Sequence, residues 1–575
     1  MYDILTGNWT LSPELERLQT EKKAAVELQK RKHLDWDDNY ELYRNKVKTN
    51  RLTQRQPVNI PLMKETIKTQ MSTLDNEDNV DWKELGGDEQ KQLTYQEIWN
   101  DFYKQKKVEL VNSLDTKNVL LYGISARQLN LTDNGVSVDC LDVYDMAYDP
   151  LGKPWDLDSH RFLIRQNIFR TVREILADDR YSAKGKDELK IWKESPAGVL
   201  SSSEARKQWE LKQERLKALG ASSDDYKYFA AGDRIVNLTE HYTNVWNEKK
   251  KAYEKRVVVY ADDKVELLNE TLIDLIGVDF WPFAVWSEDP ETNDIYPDSI
   301  ADLVRTPNKV LNVWYSQLIE NRTLKNFQMH WYTPNAGYTP QTYTPGPGMM
   351  IPAPPSASGR IDDVIKPVEV SGLDDTLEAI NAVVQIVERA TGATSIEKGQ
   401  PEVGQQTLGE VQILVGKAKE RTVAMAKFRA MAFYEMACKW DKLMQANPPK
   451  TLELFKIGRS GKAYPKKVYR EDWTSKAGYE PVIQSGSEAE VESTKEIQKF
   501  MFVMGQFPNN PALRKIAQKR ELKILNLSPD ELRQVEEAED ETQAMAQQQQ
   551  MNGQDPGAPP VDMAQMEQNI ASLSQ

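Results

Sequence analysis

The stretch HWYTPNAGYTPQTYTPGPGMMIPAPPSASGR, His330 to Arg360, interrupts two helical patterns, and its reading decides the fold. Prolines, glycines and aromatics replace any helical or strand period, so it is a non-helical module. Ahead of it, PNKVLNVWYSQLIENRTLKN places Val310, Leu311, Trp314 and Leu318 on one helix side. Thr306 is expected to cap this helix, with Pro307 in its first turn. After the module comes LDDTLEAINAVVQIVERATG, Leu373 to Gly392. Its Leu373, Leu377, Ile380, Val384 and Val387 recur at the spacing of a helix packing lengthwise on another. Two rods of matched length, each roughly twenty residues and about 30 Å long, would form a hairpin with the module at its tip. Phe327 to Thr333 and Met349 to Ile351 are expected strand edges that could pair with a neighbouring subunit.

Beyond Gly392 the flexible piece ATSIEKGQPEVGQQT leads to a helical pattern from Leu408 to about Ala446. It passes through Val411, Val415, Ala418, Thr422, Met425, Arg429, Ala432, Met436 and Leu443, about forty residues or 60 Å of helix. Gly409 and Gly416 weaken its start and predict a kink there. A small β patch from Leu452 to Ile483 follows, then helical segments Glu488 to Phe507, Pro511 to Leu525 and Pro529 onward, the last opened by Ser528 and Glu531 as a capping box. From about Ala544 the glutamine-rich chain reads as a disordered tail.

Upstream of the first rod the pattern is mixed. Ser12 and Pro13 open an exposed helix, Leu11 to about Lys32, with Leu15, Leu18, Ala25 and Leu28 inward. Trp36, Tyr40 and Tyr43 then form a core stripe, and the basic Lys46, Lys48, Arg51 and Arg55 are either a DNA or partner contact or a solvated face. A helix is expected around Tyr95 to Leu114. Asn134-Gly135 signals a hairpin with Val136, Val138, Cys140 and Leu141 in the return strand. Phe169 to Leu176 and Ser202 to Leu219 read as helices; Val236 to Trp246 and Val257 to Tyr260 read as strands separated by the polar tip NEKKKAYEK. The fold class is α+β, mainly helical.

At 575 residues the chain has room for about four domain-sized units. No apolar run approaches the ~20 residues of a membrane span, and the start lacks the basic and apolar regions of a signal peptide, so no stable membrane insertion is expected. Cys140 and Cys438 are the only cysteines, which excludes a disulfide framework and reads them as small buried apolar residues. The net charge of -14 argues against a surface that grips DNA tightly, because gripping needs Lys and Arg against phosphates.

Catalytic patterns are sparse. GRSGKAY, around Gly461 and Lys462, has its first glycine at Gly458 and no Ser or Thr after the lysine, so it fails as a phosphate loop. Asp156, Asp158 and His160 project to one side of an extended segment and are the single metal candidate, without a fourth ligand. No catalytic residue and no cofactor is assigned, and the chain is read as a non-enzyme.

The order of DWDDNYELYRNK, LLYGISARQLN, VDCLDVYDMAYDP, DFWPFAVW, PNKVLNVWYSQLIENRTLKN, TGATSIEKGQ and QTLGEVQILVGKAKERTVAMAKFRAMAFYEM resembles the portal, or head-to-tail connector, proteins of tailed bacteriophages, nearest the short-tailed type. The resemblance implies a dodecameric ring at one capsid vertex of the virion, assembled in the host cytoplasm. The ring would bear on the major capsid and scaffolding proteins, dock the terminase large subunit, pass double-stranded DNA in and out, and receive tail adaptor proteins. It further implies a wing (1–297 and 408–485), stem helices (298–327 and 371–392), a clip (328–370), a tunnel loop (393–407), a crown (486–543) and a disordered tail (544–575) around a central channel. Thr394, Ser395, Glu397, Lys398, Gln400 and Lys417 would then approach DNA, with Lys398 foremost and Lys419 next after Lys417. His330, Trp331, Tyr332, Tyr338, Tyr343, Met349 and Met350 would meet partners at the clip. The ending is short and glutamine-rich, without the long C-terminal coiled-coil barrel of some short-tailed phage portals. Glu369, Asp374, Asp375, Glu378 and Glu388 suit either an acidic channel wall or a solvated face. The competing readings are a virion adaptor without a channel, and a metal-dependent nucleic-acid enzyme built on Asp156, Asp158 and His160.

Overall fold

Ser12 Oγ accepts the Leu15 amide at 3.2 Å and Pro13 takes the first helical position, so helix α1 (Pro13–Tyr43) begins as its sequence predicts. It does not stop near Lys32. No glycine or proline separates the apolar stripe from Trp36 and Tyr43, and the two expected segments are one helix of 31 residues. The computed structural model describes residues 11–46, 57–74, 79–132, 135–194, 235–326, 330–332, 365–367, 376–392, 408–449, 451–457 and 463–484. All of them lie in one unit, Met1–Glu488.

After α1 come α2 (Leu62–Leu74), β1 (Asn79–Glu84), α3 (Glu89–Gln105) and α4 (Val108–Tyr122). The single helix expected around Tyr95 to Leu114 is thus two. Lys107 stands between them at φ 53, a left-handed conformation that no continuing helix permits. The hairpin at Gly135 forms as expected, from β2 (Ile124–Thr132) and β3 (Gly135–Cys140), with Thr132 opposite Gly135 at φ 108. Val136 and Val138 are buried in β3, and Leu141 is buried just past the strand's end.

A five-stranded antiparallel sheet follows: β4 (Met146–Tyr148), β5 (Phe162–Thr171), β6 (Ile235–Asn247), β7 (Ala252–Ala261) and β8 (Val265–Thr271), in that order across the sheet. Helices α5 (Val172–Ala177) and α6 (Ala183–Glu194) lie between β5 and β6 in sequence. The helix expected from Phe169 starts only at Val172. Thr171 Oγ1 accepts the Glu174 amide and Glu174 returns a carboxylate to the Thr171 amide, a capping box that ends the strand and opens the helix. The expected helix Ser202 to Leu219 lies outside the described residues.

Helix α7 (Leu272–Ile276) leads to β9 (Phe283–Ser287), which joins the far side of β2 to complete a three-stranded sheet. Next are α8 (Ile300–Asn326), β10 (His330–Tyr332), β11 (Ile365–Pro367), α9 (Thr376–Thr391), α10 (Leu408–Ala446), β12 (Thr451–Ile457), β13 (Ala463–Tyr469) and β14 (Tyr479–Gln484). The patch expected at Leu452 to Ile483 is divided, because β12 pairs with β13 whereas β14 pairs with β1 from the N-terminal part.

Two apolar cores organise these elements. One gathers Trp36, Leu121, Tyr144, Leu163, Val259, Trp281 and Tyr296 with Leu311, Ile380 and Val387 of α8 and α9. The other is aromatic: Trp82, Tyr95, Trp99, Trp440 and Trp473 are buried together, with Trp440 edge-on to Trp99 at 4.8 Å. Helix exceeds strand, as the α+β, mainly helical reading expects.

Candidate channel helices and their anchorage

Helix α8 does not begin at Thr306. Ser299 is its cap: Ser299 Oγ accepts the Asp302 amide at 3.2 Å, and Asp302 Oδ2 accepts the Ser299 amide at 2.8 Å. Glu288, buried, accepts the Ile300 amide, and burial holds its carboxyl well above the usual carboxylate range. Pro307 is therefore inside the helix. The two rods are also unequal, 27 residues in α8 against 16 in α9, or about 40 and 24 Å of helix.

The face of α8 turned to the body carries three polar residues four apart. Asn308 Oδ1 accepts the Met63 amide at 2.8 Å, Asn312 Oδ1 the Ile60 amide at 2.7 Å, and Ser316 Oγ the Val58 amide at 3.0 Å. All three side chains are buried, so this ladder fixes residues 58–63, which lead into and open α2, along α8. A second, charged seam joins α8 to α1. Arg305 bridges Asp35 at 2.9 Å and Asp302 at 2.7 Å, Lys309 reaches Asp38 at 2.5 Å, and Asn39 Nδ2 donates to Asp302 at 3.0 Å. The apolar pattern gave no hint of the ladder. Its signal is the 308, 312, 316 spacing of short polar side chains on the packing side.

Helix α9 packs on α8 through buried Ile380 and Val387, with Val383 and Val384 half-buried beside them. Leu377, expected in this seam, is 54 % exposed; Leu373 lies outside the described residues. The end of α9 is tied to α2, since Gln70 Nε2 donates to the Thr391 carbonyl at 2.9 Å.

Helix α10 runs 39 residues without interruption through Gly409 and Gly416. Its second half is cemented into the body. Arg429 donates to Thr116 Oγ1 at 3.0 Å and to the Leu74 carbonyl at 2.7 Å, Lys439 to the Phe283 carbonyl at 2.5 Å, and Asp441 accepts the Tyr95 hydroxyl at 2.5 Å. Burial pushes the Asp441 carboxyl up and the Tyr95 hydroxyl well up.

The residues expected at the channel and clip fall mostly outside the described residues: Thr394, Ser395, Glu397, Lys398 and Gln400, and Tyr338, Tyr343, Met349 and Met350. Lys417 and Lys419 lie on α10, where the backbone alone is described. His330, Trp331 and Tyr332 form β10 and stand opposite Pro367, Lys366 and Ile365 of β11. In this two-stranded ladder one edge of β10 pairs with β11 within the chain. Lys46 lies in the turn after α1, whereas Lys48, Arg51 and Arg55 are outside the described residues, as are Glu369, Asp374 and Asp375. Glu378 is exposed and Glu388 half-buried on α9.

The metal candidate does not assemble. Asp156 accepts the Asp158 amide at 3.1 Å, Asp158 binds Lys255 Nζ at 2.6 Å, and the buried His160 ring meets the Lys153 carbonyl at 2.9 Å. Among the described residues no three His, Cys, Asp or Glu side chains gather as a metal site, and no helix is long and apolar enough to cross a membrane. Cys140 and Cys438 are half-buried instead of buried. Burial pushes the Cys140 thiol up to about 12, which leaves it unreactive near neutral pH.

Within the α+β unit, two consecutive helices, α8 and α9, bracket the short β10–β11 ladder in the chain, and the long α10 follows them. The sequence profile of the phage SU10 portal protein family matches residues 35–513, and the chain belongs to that family. No curated protein matches the chain. Among solved structures, a chain in the virion of a native gene transfer agent particle is similar at 10 % identity and TM-score 0.33, over 70 % of this chain and 81 % of that one. A chain in the neck of an empty gene transfer agent particle is similar at 8 % identity and TM-score 0.36, over 80 % and 89 % respectively.

Proposed function

We propose that the chain forms a ring at one vertex of a tailed-phage capsid, with the dodecameric count the resemblance implies, and that this ring is the channel for genome packaging and ejection. The observation that supports this most is the anchorage of α8 and α9 inside a member of the portal family. A stem that guides a moving duplex must not shear from its body, and the buried Asn308, Asn312 and Ser316 ladder together with the Arg305 and Lys309 bridges resists that shear. Residues 298–327 and 371–392 act as the stem, 328–370 as the clip, 393–407 as the tunnel loop, 1–297 and 408–485 as the wing, and 486–543 as the crown.

In this reading the ring sits against the major capsid protein and its scaffold during assembly in the host cytoplasm. The clip, with His330, Trp331, Tyr332, Tyr338, Tyr343, Met349 and Met350, docks the terminase large subunit and later the tail adaptors. Lys398 leads the contacts to DNA phosphates, with Thr394, Ser395, Glu397, Gln400 and Lys417 around it. The acidic balance of -14 suits a conduit, because a strongly basic wall would hold a polyanion through counterion release. Deleting Thr339 to Pro355 tests the clip. The expected outcome is a folded ring that neither supports packaging nor accepts tails; packaging and tail joining at wild-type levels would refute the clip assignment.

A further inference from the structure

The ribbon of β6 and β7 outruns the sheet that holds it. β5 accompanies β6 only as far as Phe162 opposite Thr243, and β8 accompanies β7 only as far as Thr271 opposite Arg256. Past those points Asn244, Val245, Trp246 and Asn247 continue to pair with Lys255, Glu254, Tyr253 and Ala252. One amide bond, Asn244 to the Arg161 carbonyl at 2.9 Å, flanks this extension. Four residue pairs at ~3.3 Å each carry the ribbon about 13 Å beyond its neighbours.

The projecting end is ordered and chemically distinct. Trp246 and Tyr253 face each other across the ribbon, edge to face at 5.1 Å, and remain 45 % and 68 % exposed. Asn247 Oδ1 accepts the Lys249 and Lys250 amides at 3.0 and 3.2 Å, and Lys251 sits at φ 50, so the turn is held in one shape. Lys250 pairs with Glu254 at 2.7 Å, and Lys255 folds back to Asp158 at 2.6 Å. Lys249, Lys250, Lys251 and Lys255 against Glu248 and Glu254 leave the tip at +2, on a chain whose total is -14.

We propose that this ribbon is an arm that docks on a second copy of the chain, its Trp246 and Tyr253 rings covered by the neighbour and its lysine turn set against the neighbour's acidic surface. Two large, rigid aromatic faces held clear of the body are the residue types that carry binding energy in protein interfaces. The charge argument selects the occupant. Another copy carries the complementary negative excess, whereas Lys250 and Lys255 are already paired with carboxylates, which leaves too few lysines for strong counterion release from a nucleic acid. In a head-to-tail ring every copy gives one arm and receives one, so a single tip is used at every interface. The proposal rests on the ring reading above.

The test uses rings assembled from equal amounts of unlabelled and heavy-nitrogen-labelled full-length chains, treated with a zero-length amine–carboxyl coupling reagent. Links from Lys249 or Lys251 of one isotope to Asp or Glu of the other are expected; links confined to a single isotope overturn the proposal. A companion variant combines Trp246→Ala, Tyr253→Ala, Lys249→Glu and Lys251→Glu, all at exposed positions. It is expected to lose the ring in mass photometry, with assembly weakened about tenfold or more, while keeping the circular dichroism spectrum of the parent. Rings at the parent's level overturn the proposal, as does a variant that keeps its rings and loses binding to a fluorescent duplex oligonucleotide. A parent chain that stays monomeric is a separate result, which removes the ring reading itself and the arm with it.

Discussion

Arg127 Nε lies 3.2 Å from Asp115 Oδ2, with both side chains only 1 % exposed, and the pair binds β2 to α4 directly beneath α10. Arg127 Nη1 also donates to Asn112 at 2.9 Å, and the guanidinium stands over the Phe433 ring of α10 at 5.9 Å. Trp286 Nε1 donates to the same Asp115 carboxylate at 2.5 Å. One buried charge pair thus holds a helix, two strands and the long helix in register.

Arg127→Met removes the cation and strands Asp115 in the core. The expected loss is about 3–5 kcal/mol in urea unfolding. Adding Asp115→Asn to that variant is expected to recover part of the loss, since no uncompensated charge remains. A double variant as unstable as the single one would contradict the pairing.

Asn308→Ala leaves the Met63 amide and the Ile60 carbonyl without their partner on α8. Each unsatisfied buried group costs about 1–3 kcal/mol. Hydrogen exchange is expected to speed up at Met63 and to stay unchanged in β6 and β7. Unchanged exchange at Met63 would show that α8 is not anchored through this ladder.

The backbone at the end of α4 gives a paired comparison. Gly123 has φ 83, and a Cβ there would come within 2.2 Å of the Pro297 carbonyl oxygen, whereas Gly87, at φ 82, has open space around it. Gly87→Ala is expected to cost about 1 kcal/mol from backbone strain alone. Gly123→Ala is expected to cost several times more, because the chain leading into α8 must also shift. Equal shifts in melting temperature would contradict this close approach.

Asp262 carries a pH dependence of defined sign. Its side chain is buried where β7 turns to β8, and burial raises its carboxyl from 3.8 to about 7, opposed by the Asn237 amide that it accepts. Asp263 adds to the rise, while Lys22 and Lys264 oppose it. The folded state thus holds this proton more tightly than the unfolded chain. The group's contribution is complete below about pH 4 and is lost as pH rises through about 7. Asp262→Asn mimics the protonated form, so its stability relative to the parent is expected to rise between pH 4 and 7 and level off above. Urea titrations across that range check it, and a difference that does not vary with pH would contradict it.

Several elements are legible in residue order because the deciding interactions are local. Ser12 and Pro13 start α1, Gly135 closes the β2 and β3 hairpin, and the apolar period of α10 runs through Ala432, Met436 and Leu443, all buried. The start of α8 was not legible. Pro307 alone suggests a first turn at Thr306, but Ser299 and Asp302 cap the helix seven residues earlier, and tertiary contacts with α1 and α2 hold the helix through the proline. Spacing places Ile380 and Val387 correctly in the α9 seam, whereas Leu377, one turn earlier, fits the same spacing and is exposed. The polar ladder on α8 is invisible to hydrophobic periodicity, because its partners are backbone amides of residues 58–63, remote in sequence. The side chains proposed for a tunnel loop and a clip rest on the family resemblance and not on periodicity, since surface loops carry no packing pattern.

Electron cryo-microscopy of the purified full-length chain distinguishes a closed ring with an axial channel from any other assembly. Ring particles with countable rotational symmetry, a central hole wide enough for a DNA duplex, and α8 and α9 lining its wall are expected. Monomers, or closed assemblies without an axial hole, would contradict the ring reading.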